Sequence, residues 1–327
     1  MVKATGIKTI PILGRDCKNY MQVQPSGKFM MRRTLCNREF KSMMKSLRSA
    51  WPYVGRIPGV KAFANSRVGH AIRHEYARHF ERRESFTFTQ FLRLPTQYDA
   101  LSGPVIEYVV GPHRKTPLRI VVLGCSIGAE AYSISSVLQI RHPKLDFAID
   151  AHDIDPVVLE MARSAEYDRK WVLGNRVMTP EFVSSTFDEA ADRLTVKPAI
   201  AARVRFHVSD ILDGPALGRI PQADIVYAQN ILCNMQRPVA ERAFHNICEI
   251  LAPKSVLFID GMDLDMRCRL TRRHRLEPLD FELERIHQEA RLIRGPRYPD
   301  RATGLEPWSE TARDHVRRYA TIFMRGV

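Results

Sequence analysis

The chain has 327 residues, 45% of them hydrophobic and 26% charged, with 50 Lys+Arg against 36 Asp+Glu and a formal net charge of +14. That balance is globular and excludes a collagenous, wholly disordered or membrane-embedded chain. No run of about 18 apolar residues predicts a transmembrane helix, and the opening MVKATGIKTIPILGR has too few consecutive apolar residues for a secretory signal.

Residues 31–47 (MRRTLCNREFKSMMKSL) carry apolar positions at helical spacing, which predicts a short amphipathic helix. Residues 51–60 (WPYVGRIPGV) are broken by Pro and Gly and predict a loop, and 68–83 are again helix-like and very basic. Up to Arg83 there are 18 Lys+Arg against 4 Asp+Glu, whereas from Glu84 onward the two are equal. Such asymmetry suggests a face that meets a polyanion, an acidic protein surface or anionic lipid, set against the plainer reading of a solvated helix surface. Nucleic acid is weakly supported, because no zinc-finger, RNP-type or basic-zipper pattern accompanies the charge. Residues 85–110 read as a turn followed by a helix from near Thr96.

From Thr116 the pattern changes. Leu118–Leu123 is a continuous apolar run, as a buried parallel strand requires. A helix from Gly128 to about Arg141 follows, then a strand at 147–152, then Asp155 as N-cap and Pro156 as first residue of a helix to about Ala165. Val204–Val208, residues 223–228 and residues 256–260 read as further strands, with a helix over 238–251. Alternating strands and helices predict an α/β domain with a mainly parallel, twisted sheet. Residues 169–202 interrupt the rhythm and are expected to form a small inserted subdomain. After Asp260 come an Arg-rich stretch at 266–275, a helix-like stretch at 281–292 and a last strand at 318–324, expected at the sheet edge. The organisation predicted is a basic, mainly helical region over 1–110 and an α/β domain over 111–327, with an extension after 260.

Six scattered cysteines without a CxxC pair indicate reduced thiols and a cytoplasmic setting. The eleven histidines include one HxxxH spacing, His70 and His74, with no cysteine near it in the sequence, and no metal site is expected.

The first strand of the α/β domain feeds Gly124-Cys125-Ser126-Ile127-Gly128-Ala129-Glu130 and then a helix. A Gly-rich first turn beside a helix N-terminus is where an open α/β sheet binds nucleotide-like ligands. The spacing is neither G-x-G-x-x-G nor a phosphate-cradling GK[ST] loop. Asp153, 25 residues after Gly128 at the end of the second strand, can accept both hydroxyls of a ribose, and Asp210, after the next strand, is placed to meet an adenine amino group. Either acid alone reads more simply as a turn residue; a Gly loop and two strand-end carboxylates in this order favour an adenosyl pocket.

These residues carry a resemblance. GCSIGAEAYSI is similar to the GCSTGEEPYSI signature of the CheR-type chemotaxis-receptor glutamate methyltransferases, which use S-adenosylmethionine (SAM) on a Rossmann-like class I methyltransferase fold. DIDPVVLEMARSAEYD, VRFHVSDIL and ADIVYAQNILCNM resemble that family's DID…VLE.AR.G.Y, VxFxxxNLL and FDxIFCRNVxIYF stretches, and residues 89–93 (TQFLR) its TxFFR element. The resemblance spans residues 87–260. It implies that Glu130 holds the cofactor's amino group and Asp153 its ribose, that Asp210 and Ile211 flank the adenine, and that Gln229 and Asn230 line the reactive end. Thr87, Thr89 and Arg93 would reach in from the N-terminal side, with helix capping an equal reading for the two threonines. Gly124, Ser126 and Gly128 complete the expected cofactor loop.

Methyl transfer from a sulfonium is an in-line displacement, so alignment dominates, and a carboxylate acceptor needs no general base. Arg93 is the expected carboxylate clamp, with Asn230 and Asn234 beside it as the other catalytic candidates. Departures from the family pattern point to a changed acceptor: Asn234-Met235 for Tyr-Phe, Ala129 and Ala131 for Glu and Pro, Gln229 for Arg, and Lys254-Ser255 for Gly-Gly. His152 and His207 would be candidate bases for a hydroxyl or amine acceptor, though structural roles are favoured. Three readings stay open: carboxylate methylation on an acidic protein surface, methylation of a small-molecule acceptor, and a cofactor-binding adaptor without turnover.

Overall fold

The computed structural model describes residues 9–11, 20–22, 68, 72, 89–111, 116–294 and 303–326. The chain divides into two units, Met1–Phe63 and Ala64–Val327. In the first, β1 (Thr9–Pro11) and β2 (Tyr20–Gln22) pair antiparallel. The helix expected over 31–47 and the loop over 51–60 lie outside the described residues. Of 68–83, Val68 and Ile72 are described, both in helical backbone.

The second unit is built on a seven-stranded sheet. Its strands are β3 (Leu118–Leu123), β4 (Phe147–Asp153), β8 (Val204–Val208), β9 (Ala223–Gln229), β10 (Leu251–Asp260), β11 (Leu276–Pro278) and β12 (Ile322–Arg325), in the order β11-β12-β10-β9-β3-β4-β8. Pairing is parallel from β8 through β10, and β12 runs antiparallel to both its neighbours. The fold is thus α/β and Rossmann-like, as the alternation predicts. β3 pairs on one side with β4, the next strand in the chain, and on the other with β9. That reversal of strand order opens a crevice beyond the strands' carboxyl ends.

Both sheet faces are covered, which explains the unbroken apolar run in β3. Ile120 and Val122 face a core shared with Phe91, Leu101, Ile134 and Leu138. Val121 and Leu123 face a second core with Ala240, Phe244 and Ile247. The first layer holds α1 (Pro95–Ala100) and α2 (Ala129–Arg141); beyond the sheet's second strand comes α3 (Pro156–Ser164), and the second layer holds α4 (Arg237–Ile250). Asp155 caps α3 by accepting from Val157 N at 2.8 Å, with Pro156 as its first residue, as expected. Residues 91–109 contribute Phe91, Leu94, Tyr98, Val105 and Val109 to the first core. The expected boundary at 110/111 therefore falls inside the second unit.

Between α3 and β8 lies a separate antiparallel sheet of β5 (Glu166–Asp168), β6 (Phe187–Glu189) and β7 (Arg193–Val196), ordered β5-β7-β6. Asp168 and Thr179 cap its short helices, accepting from Trp171 N at 2.8 Å and Phe182 N at 3.1 Å. The tail adds α5 (Leu264–Arg273), α6 (Leu283–Arg294) and α7 (His315–Tyr319).

The last strand needs correcting. Arg318 and Tyr319 belong to α7, and the strand, Ile322–Arg325, sits inside the sheet between β10 and β11. The edge is β11, three residues ending in Pro278, whose missing N–H an edge strand tolerates because its open side has no ladder partner. β10 also begins earlier than expected, at Leu251, with its register shifting between Leu251 and Val256.

Candidate functional site

The chain leaves β3 through three left-handed positions in five residues: Gly124 (φ +67°), Ser126 (φ +50°) and Gly128 (φ +86°). A Cβ on Gly124 would collide with the Ile231 side chain, and one on Gly128 would meet the Phe206 ring at 3.0 Å and Ala162 Cβ at 3.1 Å. Glycine is required at both places, and Gly128 then opens α2 as its N-cap residue.

Asp153 fastens this bend from the tip of β4. Its Oδ2 accepts from Ser126 N at 2.7 Å and its Oδ1 from Asp155 N at 3.0 Å. Burial pushes its carboxyl up, against the main-chain donors of Asp155, Ser126 and Ile154, which favour ionisation. Cys125 N donates to His152 O at 3.0 Å, and Tyr167 of the inserted sheet donates its hydroxyl to Ile127 O at 2.7 Å. On the far side Ser209 N donates to Asp153 O at 2.9 Å, and Asp210 Oδ1 accepts from Leu212 N at 2.8 Å. Asn246 of α4 donates to Ile211 O at 2.9 Å.

At the tip of β9, Asn230 is left-handed (φ +59°), and its N–H donates to Asp260 O at 2.9 Å. Its Oδ1 and Nδ2 are buried with no hydrogen-bond partner among the described residues, and so is Gln229 Oε1. Buried polar atoms are normally satisfied, so these orphans mark a place where a polar ligand fits. Asn234 donates its Nδ2 to Asn230 O at 3.2 Å.

One crevice gathers Gly124, Ser126, Asp153, Asp210, Ile211, Gln229, Asn230 and Asn234. Residues 87–267 match the family model of the CheR methyltransferase SAM-binding domain, more than half of the chain. The chain belongs to the CheR methyltransferase family. Among curated relatives, the probable biofilm formation methyltransferase WspC of Pseudomonas aeruginosa is 26% identical over 221 residues, 67% of this chain and 51% of that protein. Chemotaxis protein methyltransferase 1 of the same organism is 29% identical over 183 residues, 54% of this chain and 65% of that one. The chemotaxis protein methyltransferase of Listeria monocytogenes is 25% identical over 176 residues, 54% of this chain and 64% of that one. The chain spans about half the length of the WspC protein.

Not every expected CheR position lines the crevice. Thr87 lies outside the described residues. Thr89 is half-buried and caps nothing in α1, whose N-cap is Leu94 without a side-chain cap. Gly128 shapes the bend without lining the crevice. Glu130, in the first turn of α2, is surrounded by protein yet keeps some accessible surface; burial pushes its carboxyl up to about 7, and Arg93 nearby pulls it back. His152 is pushed down to about 4 by burial and by His207, on which it stacks at 4.9 Å. His207 bonds Asp150 Oδ1 at 3.1 Å, and His152, whose Nδ1 lies 3.1 Å from Ser209 Oγ, lines the crevice. Missed by sequence reasoning were the apolar wall residues Ile154, Ile231 and Met235. Each directly follows or closely trails a motif acid or amide, the one signal that pointed to them.

Proposed function

We propose that this chain transfers the methyl group of SAM to a carboxylate on a protein surface. The observation that carries the reading is the crevice itself: a glycine bend pinned by a strand-tip acid, facing buried amides with empty hydrogen-bonding positions. Asp153, whose two oxygens each accept one main-chain N–H, keeps lone pairs for a ribose diol. Asp210 and Ile211 flank the base. Glu130 holds the amino group, and Gln229 and Asn230 surround the reactive end. Gly124, Ser126 and Gly128 let main chain approach the ligand, with Thr87, Thr89 and Arg93 closing from the N-terminal side.

Bound SAM supplies a methyl group on a sulfonium leaving group. What the chain contributes is alignment. Arg93, planar and always charged, orients an acceptor carboxylate; Asn230 and Asn234 limit its approach. Because a carboxylate is ionised at neutral pH, no base has to lie within reach, in keeping with a His152 that stacks on His207 and is pushed down to about 4.

Calorimetric titration of Asp153→Ala with SAM is expected to show binding abolished; unchanged affinity would remove the pocket assignment. Radiolabelled SAM incubated with a lysate of the source organism is expected to give base-labile label in protein. A small-molecule acceptor is the second reading, favoured by neutral Gln229 and Asn234 where the family motif has Arg and Tyr; base-stable label in a small molecule would select it, and binding without transfer would select an adaptor.

A further inference from the structure

Gln229 stands at the tip of β9, and half of its amide is already engaged. Its Nε2 donates to Gln97 Oε1, and Gln97 Nε2 donates to Thr321 Oγ1 at 2.7 Å. The three side chains come from β9, α1 and the residue preceding β12, and are 8%, 2% and 5% exposed. Gln229 Oε1 is left buried without a partner among the described residues, on a residue that lines the crevice. A buried amide oxygen without a donor is costly, so a ligand that brings one gains by it.

We propose that Gln97 is a positioning residue for the methyl donor: by accepting from Gln229 Nε2 it turns Gln229 Oε1 into the crevice, where it accepts a hydrogen bond from the donor's α-ammonium group. This rests on the crevice holding SAM. The two ends of an amide are alike in shape and differ in hydrogen bonding, so the partner behind decides which end faces forward. An ammonium has only N–H donors to place. An inward carbonyl suits it, and an inward NH2 group opposes it. Glu130 offers a second acceptor to the same group, and Tyr227, two residues before Gln229 on the same strand face, lies close enough to Glu130 to feel its charge.

The test compares two ligands of the full chain by calorimetry: S-adenosylhomocysteine, and 5′-methylthioadenosine, which keeps the nucleoside and thioether but has no amino-acid part. Gln97→Leu is expected to weaken S-adenosylhomocysteine about tenfold, the scale of a lost hydrogen bond to a charged group, and to leave 5′-methylthioadenosine unchanged. Thr321→Val should give a smaller loss with the same selectivity. Gln97→Glu, which keeps an acceptor behind Gln229, should restore affinity. Equal losses for both ligands in Gln97→Leu would reduce Gln97 to packing and overturn the proposal, as would unchanged or tighter S-adenosylhomocysteine binding. If the unmodified chain bound neither ligand, the donor assignment itself would fall, a result distinct from any of the variant outcomes.

Discussion

Glu130 is the titrating residue whose charge matters most. Its carboxyl is held near 7 by burial, with Arg93 opposing the shift. To hold an ammonium it must be ionised, so affinity for S-adenosylhomocysteine should rise about tenfold between pH 6 and pH 8, while 5′-methylthioadenosine shows no such rise. Stability has the opposite sign. The folded, ligand-free chain binds this proton more tightly than the unfolded chain, so the contribution is full below the ordinary value of 4.5 and is lost as pH rises through about 7. It amounts to at most about 3 kcal/mol. Denaturant melts of ligand-free Glu130→Gln should therefore lose less stability between pH 5 and pH 8 than the unmodified chain; parallel losses would place the proton elsewhere. Asp153 was legible in the sequence because it stands at a strand end beside a glycine loop, and Glu130 and Asn230 because they stand in motifs that resemble the family's. Gln97 and Thr321 were not, because their partners lie 132 and 224 residues away and no local spacing encodes them.

Among the elements, the segment leading into α1 fixes the main chain beside Arg93. Phe91 is 1% exposed and meets Tyr167 and Phe187 of the inserted sheet and Trp171 of a helix between them edge-on, at ring distances of 4.9, 5.0 and 6.0 Å. Its carbonyl accepts from Asn175 Nδ2 at 2.6 Å, and Leu92 N donates to Ser133 Oγ of α2 at 3.0 Å. Arg93 is thus anchored from the insertion and from the cofactor loop's own helix. Phe91→Ala should cost about 3–5 kcal/mol of stability by leaving a cavity and should weaken S-adenosylhomocysteine at temperatures where the chain is still folded. Phe91→Leu should retain most of both. Loss of stability with cofactor affinity intact would separate the insertion from the site. β3 was legible as an unbroken apolar run between two covered faces and α3 through its Asp155–Pro156 start, whereas α2, buried on nearly every side over residues 129–138, shows no apolar stripe. β11 was not legible: three residues with a proline carry no period, and without it β12 was assigned to the edge.

At the scale of the whole molecule the charge is divided along the chain: the excess of +14 lies before Glu84, and the remainder is balanced. Within the remainder, many arginines are already spoken for by acids, such as Arg318 with Asp265 and Glu306, both at 2.6 Å, Arg317 with Glu277 at 2.7 Å and Arg203 with Asp146 at 2.7 Å. Cofactor capture and acceptor capture should therefore respond differently to salt. A ligand held in the crevice would meet short-range contacts shielded by protein, whereas a basic N-terminal quarter of the chain meeting an acidic protein would act over distances comparable with the Debye length of about 10 Å at 0.1 M salt. Raising salt from about 0.05 M to 0.3 M should raise the KM for an acidic protein acceptor by roughly tenfold or more, mostly through slower association, and leave affinity for S-adenosylhomocysteine nearly constant. Steady-state methylation assays with a Glu-rich acceptor, run beside calorimetry at each salt concentration, read both at once. A KM indifferent to salt would detach the basic quarter of the chain from acceptor docking and shift weight to a small, uncharged acceptor held in the crevice alone.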